Sequence, residues 1–467
     1  MDGNRLLCSR PPADPLSDVL GDDNLLTKIL IRLPPKPSSL PRASVVCKQW
    51  GSILSEPEFR KRFRKHHRKP PLLGFFRGYA KNFIPSMDSP DRIPAARFSL
   101  PKSSTPYHQN EAYMGCRHGL SLLINLHKLE TVVWDPLTGE ERIVAFPPGC
   151  TLGRSWAWHG AVLCVNAEDG HVHGDCFSSP FKLVLIFADY NTPALCSVYD
   201  SASGVWGNIF STMTKTAGMS WLRRPSILVG NALCLLIRGG DVLVFDLEMQ
   251  SLGLIKKPVE NHGTDNWCFQ LLRMENDGLG LAVLLDLTIE LWERKSNRDG
   301  VFEWVLLQKT IPLEGMVPTR MDSVLFVGYD EDANVIVLTT MTGNFTLQLD
   351  SMQIKHIVKR NNICHDTFYP YRNFCTPGET LVLFSLKDIL FIFAVLHMCG
   401  LLLWGVLSGE VPCLPCPIAP AAPTLPVPPV LAAEATQADR DAAKALDAAA
   451  VGAYDQQVSA YSDALSV

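Results

Sequence analysis

Apolar positions recur along this chain with two different periods, and the change falls near residue 70. Before it, Leu25, Leu26, Ile29, Leu30 and Leu33 recur at helical spacing. At about 100° per residue they cover an arc of about 140° on one side of a helix, with Ile31 outside it. Asp22 and Asp23 offer an N-cap and first-turn negative charge, and Pro34-Pro35 stops the run, so the spacing predicts a helix from Asp23 to Leu33. A second helix is predicted from Ser39, whose hydroxyl can cap it, with Pro41 in its first turn and Ala43, Val46, Cys47, Trp50 and Ile53 or Leu54 on its apolar face. Ser55-Glu56-Pro57-Glu58 has the form of a capping box for a third helix, with Phe59 and Phe63 one turn apart. Helices under about 12 residues are marginal alone, and so small a unit buries little surface. Burying a Leu or Ile is worth roughly 1.5–3 kcal/mol, so several left uncovered imply a second protein that covers them.

From Leu72 to about Gly378 the helical period disappears. Short apolar runs, among them Leu72 to Phe76, Leu120 to Leu126, Phe181 to Phe187, Ala232 to Ile237, Val242 to Leu247, Leu279 to Leu285 and Val335 to Leu338, alternate with Gly, Asp, Asn and Pro. That pattern predicts an all-β region with a faint repeat, in which a Gly or Asn opens a strand pair and an acidic residue closes it. The pairs are Gly119 to Asp135, Gly230 to Asp246, Gly278 to Glu293 and Asn334 to Asp350, with a fifth acidic member at Asp200 stretched by an insertion around Asp169 to Ser179. Acidic side chains there can bond their own backbone in a turn, with Gly139 or Gly204 supplying positive φ. The acidic residues lie 46 to 65 positions apart, the range of β-propeller blades. The fold expected is thus multidomain α+β: a small three-helix domain and then an all-β domain, a propeller of about six or seven blades, with a β-sandwich as the alternative.

The chain has 467 residues, 47% of them hydrophobic, enough for two or more domains. A net charge of −4, from 43 basic and 47 acidic residues, argues against a general nucleic-acid binder. Arg60 to Lys69 is almost wholly basic and reads most simply as the solvated face of the third helix, with a nuclear import signal or a phosphate-binding patch as the alternative. Fourteen cysteines are scattered, several inside apolar strand-like runs, as expected of reduced thiols in an intracellular protein. The first residues carry no apolar signal segment.

Leu20, Asp22, Asp23, Leu25-Leu26, Ile29-Leu30, Arg32-Leu33-Pro34, Leu40, Arg42, Val46-Cys47-Lys48 and Trp50 resemble the F-box motif in order and spacing, with Gly21 standing where the motif often has proline. LPPKPSSLPRASVVCKQW and HHRKPPLLGFF are similar to a large family of grass-plant F-box proteins, whose following region resembles propeller-type domains. The resemblance implies a receptor subunit of an SCF-type ubiquitin ligase. Its F-box would hold a Skp-family adaptor, and through it a cullin scaffold, by Leu20, Leu25, Leu26, Ile29, Leu30, Leu33, Pro34, Val46, Cys47 and Trp50. The β domain would hold an unknown protein target. The likeness runs to Gly378. Beyond it, LLLWGVLSGEVPCLPCPIAPAAP and DRDAAKALDAAAVGAYDQQVSAYSDAL resemble the start of a copia-type retrotransposon gag-like region.

The expected layout is a flexible lead at 1–16, the F-box at 17–69, the β domain at 70–378, a hydrophobic segment at 379–407 and an Ala/Pro-rich tail at 408–467. Ile389 to Leu407 is long enough to cross a bilayer, and Lys387 would keep the F-box cytosolic. A transposon remnant is the competing account. The expected location is cytoplasm or nucleus, with membrane tethering as the alternative. Three functional readings follow: a non-catalytic ligase receptor, an adaptor-binding stub interrupted by a transposon-derived tail, and a β-propeller enzyme with a helical appendage.

Catalytic signatures are missing from the sequence: HExxH, G-x-S-x-G and a phosphate-binding glycine loop do not occur. No cofactor is expected. Cys413-Leu-Pro-Cys416 lacks a second pair. His171-Val-His173 with Asp175 and Cys176 reads as a polar loop inserted between strands, because no further ligand completes a metal site. Asp330-Glu-Asp332-Ala-Asn334 opens like a calcium loop but has Val335 where glycine is needed. Trp206 and Trp292 are expected in the packing, as are Trp156, Trp158, Trp221, Arg223 and Arg224, for which a rim of a recognition face is the alternative.

Overall fold

A computed structural model describes residues 22–98, 111–150, 157–165, 171–174, 176–188, 192–215, 224–237, 239–258, 266–318, 324–359 and 366–375. The chain divides into two units, Met1–Phe393 and Ala394–Val467. The second unit lies outside the described residues, as do Leu20, the flexible lead, the hydrophobic segment at 379–407 with its membrane-crossing expectation, and the transposon-like tail. No helix among the described residues is long and apolar enough to cross a membrane.

Four helices make the N-terminal plug: α1 (Asp23–Leu30), α2 (Ser39–Ser44), α3 (Lys48–Ser55) and α4 (Pro57–His67). Asp22 caps α1 as expected, its carboxylate accepting from the amides of Asn24 at 2.7 Å and Leu25 at 3.3 Å. The helix gives way after Leu30 to tighter turns, with the Leu33 amide on the Leu30 carbonyl. The expected second helix is two pieces. Ser44 bonds back to the Pro41 carbonyl at 2.8 Å, Val45 and Val46 are β-branched, and Cys47 is fully extended. The expected capping box does not form either: Ser55 Oγ bonds the Gly51 carbonyl at 2.7 Å, and Pro57 in the first turn sets the start of α4.

The β region is a six-bladed propeller among the described residues. Blade 1 is β3 (Glu111–Arg117), β4 (Leu120–Asn125), β5 (Glu130–Trp134) and β6 (Glu141–Ala145). Blade 2 is β7 (Ala157–Cys164), β8 (Phe181–Ala188) and β9 (Pro193–Asp200), with β10 (Val205–Trp206) and β11 (Phe210–Lys215) both on β9. Blade 3 is β12 (Ile227–Val229), β13 (Ala232–Leu236), β14 (Val242–Asp246) and β15 (Ser251–Ile255). Blade 4 is β16 (Phe269–Arg273), β17 (Leu279–Leu285), β18 (Thr288–Ser296) and β19 (Phe302–Pro312). Blade 5 is β20 (Leu325–Asp330), β21 (Val335–Thr339), β22 (Gly343–Gln348) and β23 (Ile354–Lys359). Blade 6 closes the ring with strands from both ends of the domain: β1 (Leu72–Arg77) lies between β2 (Phe83–Pro85) and β24 (Phe368–Arg372). β24 touches the first strands of blades 5 and 1, β20 and β3. Joining strands so far apart in sequence removes the free edge an open sheet would carry.

The repeat seen in the sequence is the turn after the third strand in blades 1, 2, 3 and 5. Asp135 Oδ1 accepts from the Leu137 amide at 2.9 Å, Asp200 Oδ1 from Ala202 at 2.9 Å, and Asp246 Oδ1 from Glu248 and Met249 at 2.9 and 2.8 Å. Asn334, at φ +54°, donates to Asp350 at 2.7 Å across its own pair of strands. Blade 4 departs from the expectation. Its strands run on past a bulge at Glu290/Trp292, Glu293 pairs with Gly280 inside the sheet, and the turn moves to Asn297, which accepts from Asp299 and Val301.

Candidate functional site

The plug's core consists of Leu26, Leu30, Leu40, Ala43, Ile53, Leu54, Phe59 and Phe63, with Phe374 from the propeller completing it. Leu26 and Leu30 are fully buried, so they hold the helices together and do not face outward. Leu33 and Trp50 are half-buried against the same cluster. The neighbouring residues on α1 behave differently: Leu25 is 39% and Ile29 46% exposed, and Val46, just ahead of α3, is 48% exposed. Pro34 and Cys47 are exposed as well. Gln49 Nε2 bonds Asp23 Oδ1 at 2.8 Å, bringing the start of α3 beside the first turn of α1. Of the ten residues expected at the docking face, five therefore lie open on the plug, two are half-buried, two are interior and Leu20 lies outside the described residues.

The plug is seated on the propeller by specific contacts. Phe63 meets Phe374 edge-on at 6.2 Å, and Val172 of the blade 2 loop packs against the plug core. Ser38 Oγ donates to Asp91 at 2.6 Å, and Lys36 pairs with the same carboxylate at 3.5 Å. His67 donates from Nε2 to the Ile31 carbonyl at 3.1 Å, fixing the last turn of α4 on the end of α1. The basic end of α4 then reaches the central channel: Lys65, Arg68 and Lys69 line a cavity of about 740 Å³ together with residues of all six blades.

Charged groups at this mouth are engaged with one another. Arg372 of β24 holds Asp330 of β20 with two nitrogens, Nε at 2.9 Å and Nη2 at 2.5 Å, and donates from Nη1 to Pro70 at 2.8 Å. Arg117 of blade 1 pairs across the channel with Glu331 of blade 5 and donates to the Ser226 carbonyl at 2.8 Å. Glu331 also accepts from the Leu228 amide at 2.8 Å. Burial pushes the Glu331 carboxyl above its ordinary range, against the pull of Arg117 and of that amide. Cys116 is raised to about 12 by burial, in spite of its bonds to Ser121 and Tyr113. Shifted groups in a cavity are the feature the enzyme reading called for. Here Glu331, Asp330 and their arginines are spent joining blades, which explains the acidic run at 330–332 that opened like a calcium loop.

The tryptophans and arginines weighed as a recognition rim serve the packing where they are described. Trp158 stacks on Phe187 at 5.0 Å, Trp206 donates to the Ala145 carbonyl at 2.8 Å, and Trp292 lies against the core of blades 3 to 5. Arg224 is buried, donating to the Phe326 carbonyl at 2.9 Å with its guanidinium 4.9 Å over the Trp267 ring. Trp156, Trp221 and Arg223 lie outside the described residues. In the loop ahead of β8, Cys164 from the end of β7 joins His171, His173 and Cys176 in one cluster. Sequence spacing missed that member, because Cys164 reads as part of an apolar strand.

Fold and site together define an F-box plug mounted on a six-bladed propeller. An F-box domain model matches residues 22–62, and the model for "F-box protein AT5G49610-like, beta-propeller" matches residues 113–366, more than half of the chain. The chain belongs to that F-box propeller family. No curated protein matches. Among solved structures, the chain is similar to the dihydro-heme d1 dehydrogenase NirN (12% identity, 56% of this chain and 48% of that one, TM-score 0.27). It is also similar to the extracellular domain of the putative one-component system BT4673 from B. thetaiotaomicron (12%, 54% and 28%, TM-score 0.28). A third is the PQQ-bound aldose sugar dehydrogenase from Streptomyces coelicolor (10%, 53% and 80%, TM-score 0.29). The chain spans less than half the length of the first two.

Proposed function

We propose that this protein is a substrate-receptor subunit of an SCF-type ubiquitin ligase, docking on a Skp-family adaptor through the plug and holding a target protein on the propeller. The observation that carries the reading is the open apolar set on the plug. Leu25, Ile29 and Val46 stay outside although Leu26 and Leu30 beside them are buried, and an isolated domain gains nothing from that arrangement. The receptor acts by proximity, raising the local concentration of a target near a ubiquitin-loaded partner, and makes or breaks no bond itself. It works in the cytoplasm or nucleus. The docking set is Leu25, Ile29, Pro34, Val46 and Cys47, with Leu33 and Trp50 at its edge, Leu20 leading into it, and Leu26 and Leu30 supporting it from below.

The test is capture of a purified Skp-family adaptor by the full chain, with Leu25→Asp/Ile29→Asp as the variant. Loss of capture with an unchanged melting temperature supports the reading, and wild-type capture by the variant overturns it. The likeness to grass F-box proteins belongs to the same proposal, whereas a transposon origin of the tail belongs to the competing reading of an adaptor-binding stub. Transcript sequencing across Phe374 to Leu407 checks the tail, and a transcript that leaves this frame after Gly378 would make the last ninety or so residues a gene-model join.

A further inference from the structure

We propose that Cys164, His171, His173 and Cys176 form a structural zinc site that locks the plug onto blade 2. Their four donor atoms lie within 4.8 Å of one another. Cys164 Sγ is 3.4 Å from His171 Nε2, Cys176 Sγ is 3.5 Å from the same nitrogen, and Cys176 Sγ is 3.5 Å from His173 Nδ1. With Zn–S near 2.3 Å and Zn–N near 2.0–2.1 Å, the sulfur–nitrogen edge of a regular tetrahedron is about 3.5 Å. Three of the six donor–donor separations are close to that edge, and the rest fall within 4.8 Å. A hydrogen bond between a thiol and an imidazole needs one sulfur and one nitrogen. Here one nitrogen addresses two sulfurs and one sulfur addresses two imidazoles, so the donors converge on a common centre.

The donor chemistry selects the ion. Two thiols and two imidazoles are soft and borderline ligands, suited to zinc and unsuited to calcium or magnesium. Both thiols are buried and both imidazoles half-buried, and four protein ligands leave no open position, which is the form of a structural centre. On binding, the thiols release two protons to solvent, and two thiolates neutralise the dication in this partly buried place.

The surroundings hold the ligands in place. His118 stacks flat on His173 at 3.5 Å and 9°, and its Nδ1 accepts the Cys164 amide at 3.1 Å. Between the two histidines, Val172 packs into the plug core. Gly174 lies so close to the propeller that a Cβ there would come within 2.8 Å of the Phe374 ring. The metal would thus pin the loop on which the plug is seated.

The experiment is metal analysis of the full chain purified without added chelator. One zinc per chain is expected, falling to near none in C164S/C176S and unchanged in C413S/C416S. To keep the test independent of that variant's folding, the wild-type chain is also stripped and titrated with Co²⁺, which should give the visible spectrum of a tetrahedral two-thiolate site. Chelation of the wild type should lower its melting temperature by about 4 °C or more. Zinc that follows Cys413 and Cys416, a Cys164–Cys176 disulfide in the native protein, or a metal-free chain that gives no such cobalt spectrum would overturn the proposal.

Discussion

Two pairs of residues on one helix should fail in opposite ways. Leu25 and Ile29 are 39% and 46% exposed, whereas Leu26 and Leu30 are fully buried. If docking covers what remains exposed, each of the first pair contributes its uncovered share of roughly 1.5–3 kcal/mol. Together that is about 1.3–2.6 kcal/mol, a loss of about 10- to 80-fold in affinity when both are replaced by serine. The melting temperature should stay within about a degree, since neither side chain closes the plug's core. Leu30→Ala should instead cost about 2–5 kcal/mol of stability by leaving a cavity beneath Phe59 and Phe63. Calorimetric titration of a Skp-family adaptor into each full-length variant, paired with thermal melts, separates the effects. Full-affinity binding by Leu25→Ser/Ile29→Ser, or an unchanged melt for Leu30→Ala, would refute the division of α1 into an outer and an inner face.

Closure of the ring offers two further tests. Asp330→Ala or Arg372→Ala strands a buried charge and should cost about 3–5 kcal/mol each, with the double variant losing less than the sum in a denaturant cycle. Gly328→Ala would set a Cβ 2.3 Å from the Phe368 carbonyl, so β24 must shift away from β20, and hydrogen exchange should speed up in blade 6 before any other blade. His159 is buried with no partner on Nε2, and burial, then the Arg117 charge, lowers its imidazole to about 3. Its folded pKa lies below the unfolded value near 6.5, so its contribution is complete above that pH and is lost as pH falls through 3, by about 5 kcal/mol in all. His159→Leu should flatten the acid limb of the stability curve by that amount, measured as the difference from wild type in denaturant titrations across the window.

Much of the molecule is legible in the order of its residues. The spacing of Leu25 to Leu33 and the proline pair after it announce the first helix, and the apolar runs with their acidic turns announce blades, because strand and turn preferences act over a few neighbours. Asp22, Asp135, Asp200 and Asp246 make the local bonds their spacing predicts. Ser55-x-x-Glu58 also looks local, yet Ser55 turns back to Gly51, since a short motif competes with the helix before it.

What only the folded chain decided is everything that depends on which distant surfaces meet. Leu25, Leu26, Ile29 and Leu30 of α1 share one arc, and periodicity ranks them equally. Phe374, some 350 positions onward, helps seal Leu26 and Leu30 inside while Leu25 and Ile29 stay open. The blade count was settled by β24 pairing with β1 across the whole domain, and Cys164 became a neighbour of His171, His173 and Cys176 only through the path of β7. Periodicity records how one element divides its own faces. Contacts between remote elements are selected by packing, which no single stretch of sequence contains.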